Sequence, residues 1–359
     1  MKEAIVHPGP RSELIESPIP RPNADQVLIK VVVSGCNPKD WKGAQNEKKS
    51  ANSGDDIAGI VEAVGENITE FRPGDRVAAF HHIGTPGGSF AEYAISWGYA
   101  TFHIPKKTSF EEAATIPLAA MTAAVALYQE LRLPQPWQAP TEPLPLIIYG
   151  GSSAVGAYAI QLAKASNIHP LIVVAGKGAD LVESLIDRSK GDTVIDYREG
   201  YDAVVAGLKN ALKQSGQNRV RYAFDPVSDK GSYQAICEVL DRETGKITFV
   251  LPGKTYEEVP KSIKWTLTKV PTSFLDVAPD SPQGKAGIKI SNKDFAFLFL
   301  RFFGRGLQEG WLRPHPYEVA PKGLESVGEC LKNLYEGKLS AKKYVFRISD
   351  TPGLEDSAW

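Results

Sequence analysis

Leu144–Asn167 reads LPLIIYGGSSAVGAYAIQLAKASN. A short apolar run, Leu146–Tyr149, ends in Gly150-Gly151, and a helix with few bulky residues on one face begins soon after. Glycine lets the backbone turn tightly and approach a pyrophosphate closely, while the helix N-terminus adds amide donors and the positive end of its dipole. Strand, glycine turn and helix in this order open a dinucleotide-binding unit. Gly151 and Gly156 depart from a strict G-x-G-x-x-G, so their context has to carry the assignment.

The context agrees. From residue 146 to about 270 strand and helix patterns alternate. Strands are expected at Leu146–Tyr149, Leu171–Ala175, Thr193–Asp196, Arg221–Asp225, Lys246–Leu251 and Ile263–Val270. Helices are expected at Ala179–Arg188, Ala203–Gln214 and Tyr233–Leu240. Such alternation implies a doubly wound parallel sheet, an α/β fold.

Upstream, short strands between Pro/Gly punctuation suggest a small barrel-like β-domain: Gln26–Val33, Asp56–Val64, Arg76–His82 and Ser89–Ile95. Ser109-Phe110-Glu111-Glu112 is a capping box for a short helix to about Thr115, and after Pro117 a longer helix is expected over Leu118–Leu131. Leu133–Pro145 holds five prolines and reads as a connector. Residues 276–290 read as a surface loop, Phe295–Leu307 and Leu324–Leu334 as helices, and Tyr344–Ile348 as a last strand.

The chain has 359 residues with 42% hydrophobic, enough for two sizeable cores. A formal net charge of -1 gives no electrostatic case for nucleic acid or an anionic membrane surface. No apolar run approaches transmembrane length, and MKEAIVHPGP has no signal-peptide character. Cys36, Cys237 and Cys330 lie far apart with no CxxC, which fits a reducing compartment; a cytoplasmic protein is expected.

The second strand selects the cofactor. An NAD site needs a carboxylate near the end of this strand to accept from the ribose 2′-hydroxyl. Here the strand runs into Ala175-Gly176-Lys177-Gly178, with no acid until Asp180. Lys177 stands where a 2′-phosphate would lie, so NADPH is expected; the plainer reading of Lys177 is a solvated loop lysine.

Four segments carry a resemblance: GCNPKDWK (Gly35–Lys42), GDDIAGIVEAVGENITEFRPGDRV (Gly54–Val77), GGSFAEY (Gly87–Tyr93) and Tyr149–Gly156. In order and spacing they resemble the medium-chain dehydrogenase/reductase superfamily, in its zinc-free quinone-reductase and enoyl-reductase branch. The resemblance implies a GroES-like catalytic domain, 1–121 with 287–359, interrupted by a Rossmann domain over 122–286. Zinc alcohol dehydrogenases carry a Cys at the position of Asn37 and Gly-His-Glu at Gly54-Asp55-Asp56, so no metal is expected. His81-His82 read as surface-strand residues rather than ligands. Without a Lewis acid, reduction of an activated C=C bond is favoured over alcohol oxidation.

Within that branch the chain is most similar to the fungal trans-acting enoyl reductases, which serve a polyketide synthase lacking a working reductase domain. NPxDxK, the Pro-rich insert Pro134–Pro145, Asp196-Tyr197-Arg198, Trp265-Thr266-Leu267 and GKLSAKKYVFR all match. The resemblance places cofactor contacts at Lys39, Asp40, Trp41 and Lys42. It adds Gly151, Ser152, Ser153, Ala154, Val155 and Gly156 at the turn. Ala175, Gly176, Lys177 and Gly178 follow, then Tyr197, Val250, Leu251, Val345 and Phe346. It places the acyl pocket along Thr122, Ala123, Ala124, Val125, Ala126, Leu127, Tyr128 and Gln129. Two departures stand out: the AGKG turn lacks the Ser and Asn that such reductases offer the 2′-phosphate, and no Tyr follows NPKD within Gly43–Ser53.

The expected reaction is NADPH-dependent reduction of an α,β-unsaturated thioester on a synthase-bound chain. Lys42 is the charged candidate for the active site, with a cofactor contact as its plainer role. Thr122 could donate to the nicotinamide or the thioester; its plainer role is a helix threonine bonded to its own backbone. Tyr197 would pack on the adenine or belong to the core, and Met121 and Tyr128 fit ordinary core at helical spacing. Two alternatives remain: a free-standing quinone or enone reductase, and a non-catalytic NADPH-binding protein. Three lysines in Lys261–Thr272 blunt the edge strand through which relatives dimerise, so a monomer is expected.

Overall fold

The computed structural model describes residues 1–354, and the chain divides into two compact units. One comprises Met1–Met121 and the chain from Pro271 onward; the other is Thr122–Val270.

The second unit is built on six parallel strands. Across the sheet they run Thr193–Asp196, Leu171–Ala175, Leu146–Tyr149, Tyr222–Asp225, Lys246–Phe249 and Lys264–Leu267. In chain order this is 3-2-1-4-5-6, the doubly wound arrangement in which ligands bind where the order reverses, beside the first strand. Leu146–Tyr149 and Leu171–Ala175 are buried throughout, which explains their unbroken apolar runs. The expected fifth and sixth strands end sooner, at Phe249 and Leu267. The expected helix to Arg188 is also shorter, Ala179–Glu183. There the buried Asp192 carboxylate accepts from the amides of Asp187 (2.8 Å) and Leu171 (2.7 Å), pulling the chain out of helix.

The long helix expected over Leu118–Leu131 is Pro117–Ala124 in α geometry followed by a π segment, Val125–Glu130. The Leu131 amide reaches back to Ala126 O at 3.0 Å, the wider π ring. Contrary to the expectation that no run approaches transmembrane length, the helical stretch Phe110–Glu130 is long and apolar enough to cross a membrane. Its apolar window is 83% buried, as in a core helix.

In the first unit, Gln26–Gly35 anchors the main sheet. It pairs antiparallel with Asp56–Val64, with Tyr93–Trp97 and with the returning strand Lys343–Arg347, Val345 lying opposite Gly35. Arg76–Phe80, Thr101–His103 and Tyr317–Val319 complete it. An additional hairpin, Lys2–His7 with Arg11–Glu16, has an apolar pattern too weak to mark it in the sequence. The capping box at Ser109 forms as expected: Ser109 Oγ accepts from the Glu112 amide at 3.1 Å, and Glu112 Oε2 accepts from the Ser109 amide at 2.8 Å. NPKDWK itself opens a helix, Pro38–Glu47, with proline in the first turn and Asp40 Oδ2 accepting from the Asn37 amide at 2.7 Å.

Candidate active site

In the first unit the NPKD helix and the Gly54-Asp55-Asp56 stretch meet through charges. Lys39 points inward: its ammonium donates to Ser53 O at 2.6 Å, lies 3.0 Å from Asp40 Oδ1, and forms a close ion pair with Asp55 Oδ2. The other Asp55 oxygen bonds His81 Nδ1 at 2.8 Å. Burial favours the neutral forms of Lys39, Asp40 and Asp55. For Asp55 it is outweighed by Lys39 and His81, which hold the carboxyl below its usual range. For Lys39 burial is likewise outweighed by Asp55 and Asp40, which hold the ammonium above its usual range. Asp40 goes the other way, since burial prevails and pushes its carboxyl up to about 7.

His81 corrects the surface-strand reading: it is 2% exposed and locked onto Asp55. His82 is partly buried and stacks on Phe274 at 4.3 Å. Asp56 forms a second knot. Its Oδ2 accepts from Asn37 Nδ2 at 2.6 Å and Lys343 Nζ at 2.5 Å, and its Oδ1 accepts from the Leu118 amide at 2.7 Å. Asn37 therefore has a geometric role. Four segments distant in sequence are tied by one buried carboxylate, and nothing local in the sequence marks Lys343 as its partner.

The positions where zinc alcohol dehydrogenases carry ligands hold Asn37, bonded to Asp56, and Asp55, bonded to Lys39 and His81. An amide and a carboxylate neutralised by an internal ammonium do not make a thiolate–imidazole donor set. Among the described residues no group of three His, Cys, Asp or Glu side chains is arranged to hold a metal.

Of the other expected contacts in this unit, Trp41 and Lys42 are partly buried, with the Lys42 ammonium 5.6 Å from the Trp41 ring centroid. Val345 and Phe346 are fully buried, and Phe346 meets Phe90 edge-on in the core.

In the second unit the turn is made by backbone. Gly150 has φ +77°, a left-handed conformation suited to glycine. A Cβ on Gly156 would sit 2.3 Å from Gly150 O, and one on Gly151 would sit 2.1 Å from Val173 Cγ1. The space left by the missing side chains is what brings strand and helix together. Ser153 caps the helix Ala154–Ala165: its Oγ accepts from the Gly156 amide at 3.0 Å and donates to Gly150 O at 2.8 Å. The amides of Ala154 and Val155 lie in the first turn, where a helix supplies no acceptors of its own. The residues present fit a pyrophosphate.

Beyond the second strand, Lys177 is exposed and carries no ion pair among the described residues, while Ala175, Gly176 and Gly178 are buried. Tyr197 lies directly over Gly176, where an added Cβ would sit 2.6 Å from its ring. It is 46% exposed, so the ring is available to a ligand. Ala123 to Tyr128 are buried; Thr122 is 6% exposed. Tyr128 Oη donates to Leu162 O at 2.9 Å and lies 2.8 Å from Ser166 Oγ, which gives it a core role.

Known proteins share this fold. Residues 23–106 match the alcohol dehydrogenase GroES-like domain. An alcohol dehydrogenase superfamily protein from Novosphingobium aromaticivorans superposes with TM-score 0.76 at 22% identity, covering 97% of this chain and 99% of that one. CurK enoyl reductase superposes with TM-score 0.71 at 18% identity, covering 96% and 98%. At these identities they show the fold alone.

Sequence relatives go further. Trans-enoyl reductase fsr4 of Gibberella fujikuroi is 51% identical over 325 residues, 89% of this chain and 91% of that protein. The enoyl reductase component lovC of the lovastatin nonaketide synthase, from Aspergillus terreus, is 29% identical over 343 residues, 92% of each. The chain belongs to the fungal trans-enoyl reductases.

Proposed function

We propose that this protein is an NADPH-dependent trans-acting enoyl reductase that reduces the α,β-unsaturated thioester of a chain carried by a polyketide synthase. The observation that carries the cofactor choice is the second-strand turn: Ala175-Gly176-Lys177-Gly178 offers an exposed ammonium, without an ion pair among the described residues, and no carboxylate. Family membership supports the reaction. When bound, the dinucleotide supplies the hydride. The glycine turn and the Ser153-capped helix hold the pyrophosphate, Lys177 binds the 2′-phosphate, and the open face of Tyr197 packs on the adenine.

Hydride addition at the β-carbon places negative charge on the thioester oxygen, and a proton must follow to the α-carbon. Lys42 and Thr122 are the proposed donors toward that charge. Lys39 is excluded from mobile proton work by its ion pairs with Asp55 and Asp40, and acts by fixing the start of the helix that carries Trp41 and Lys42. The protein is proposed to work as a cytoplasmic monomer.

Steady-state assays with NADPH test the reading. Turnover of acyl thioesters should exceed that of simple quinones, and a carrier-protein or CoA handle should improve it over the bare enone. Faster quinone turnover would establish the free-standing quinone reductase instead, and NADPH binding without turnover of any acceptor would establish the non-catalytic alternative.

A further inference from the structure

The loop after the fourth Rossmann strand is held in a costly shape. Asp225 ends that strand with its carboxylate fully buried, and no ion pair reaches it among the described residues. Instead its Oδ1 accepts from the amides of Val227 (2.9 Å) and Ser228 (2.8 Å), and its Oδ2 accepts from Ser232 Oγ at 2.6 Å. Ser228 is fully buried as well. Its Oγ donates to Asp225 O at 2.7 Å and accepts from the Val250 amide at 3.2 Å. The nearby ammonium of Lys254 is spent on Ser228 O (2.9 Å) and Asp229 Oδ1 (2.7 Å).

Two costs are visible. A buried carboxylate without a cation is expensive, and burial pushes the Asp225 carboxyl up to about 6. Ser228 and Lys230 also have φ +57° and +53°, left-handed conformations that non-glycine residues adopt only at a cost. Strain of this kind persists only where surrounding bonds over-determine it.

What the loop touches gives its use. Val227 lies against Gly150, the first glycine of the phosphate turn: a Cβ there would be 2.4 Å from Val227 Cγ2. On its other side the loop holds the Val250 amide through Ser228. Gly150 begins the cradle, and Val250 and Leu251 are expected dinucleotide contacts on the neighbouring strand end.

We propose that Asp225 and Ser228 are positioning residues for the dinucleotide, setting Val227 as a fixed wall between the glycine turn and the Val250–Leu251 segment. The proposal rests on the dinucleotide reading of this unit. It has a direct test in NADPH titration of the apoprotein by cofactor fluorescence, with apoprotein thermal midpoints measured alongside. Failure of the wild type to bind NADPH would remove the underlying reading; wild-type binding makes the variants informative.

Asp225→Ala removes three accepted hydrogen bonds and should raise the NADPH dissociation constant by about 10- to 30-fold. Asp225→Asn keeps Oδ1 as acceptor and can donate from Nδ2 to Ser232 Oγ, so it should stay within about threefold of wild type. Ser228→Ala should weaken binding about three- to tenfold. A lowered thermal midpoint with unchanged NADPH affinity in Asp225→Ala would assign a purely structural role and overturn the proposal. Equal weakening in Asp225→Asn and Asp225→Ala would overturn it too, since charge rather than loop geometry would be responsible. If Asp225→Ala does not fold, Ser228→Ala and Val227→Ala decide, and wild-type affinity in both overturns the proposal.

Discussion

The two units build their candidate sites from different materials. In the first unit, side-chain charges do the work: Lys39, Asp40, Asp55, Asp56 and Lys343 come from positions spread along the chain and meet in the interior, with His81 bonded to Asp55. In the second unit, the backbone does the work, and Gly150, Gly151, Gly156 and Gly176 serve by lacking a side chain. Removing a charge in the first unit strands its partner without water. Adding a methyl in the second meets a side chain, a backbone oxygen or a ring packed against the turn. The first kind of site should therefore fail by unfolding, and the second by a displaced turn that no longer fits its ligand.

The sharpest way to break that contrast is Lys343→Met. It strands the fully buried Asp56 and should cost about 3–5 kcal/mol, seen as a lower denaturant midpoint. A stable Lys343→Met protein would show that the knot is dispensable. Next in size, Gly156→Ala should weaken NADPH binding about a hundredfold, roughly 2.7 kcal/mol, and lower the thermal midpoint as the turn is pushed off the helix. Its new methyl would meet Gly150 O, a backbone atom that cannot step aside.

Lys177→Ala refines the comparison, because it removes the one charge the backbone-built site is proposed to use. The NADPH Michaelis constant should rise about tenfold, roughly 1.4 kcal/mol, while that for NADH stays unchanged. An unchanged NADPH constant would return Lys177 to the solvent.

The smallest effect is expected from Asp40→Asn, read through pH. Burial holds the Asp40 carboxyl up to about 7, above its unfolded value. Between about pH 4 and 7 the folded state thus binds more protons at this site than the unfolded state, so its contribution to stability falls as pH rises. Asp40→Asn should flatten that decline in pH-dependent unfolding curves, and an unchanged slope would show that Lys39 keeps Asp40 ionised throughout.

Much of the fold is legible in the residue pattern. Strands such as Asp56–Val64, Leu146–Tyr149, Leu171–Ala175 and Thr193–Asp196 fall at the expected residues, since their apolar runs are bounded by glycine, proline or turn signals. Two features leave no such trace. The helix at Pro38–Glu47 is mostly polar, with Asp40 and Ala44 its buried residues, so its apolar stripe is too thin to announce it. His81 sits in a dipeptide that suggests a surface strand, and the carboxylate of Asp55, brought in from elsewhere, together with Pro86 O near Nε2, makes burial tolerable.

The glycine turn, the lack of an acid after the second strand and the substitution of metal-ligand positions were all determined by sequence, because each depends on residue type within a short stretch. The tertiary structure alone decided which charges meet. Lys39 with Asp55 and Lys343 with Asp56 are set by where strands return in a sheet. A buried carboxylate takes whichever donors the folded chain brings within about 3 Å.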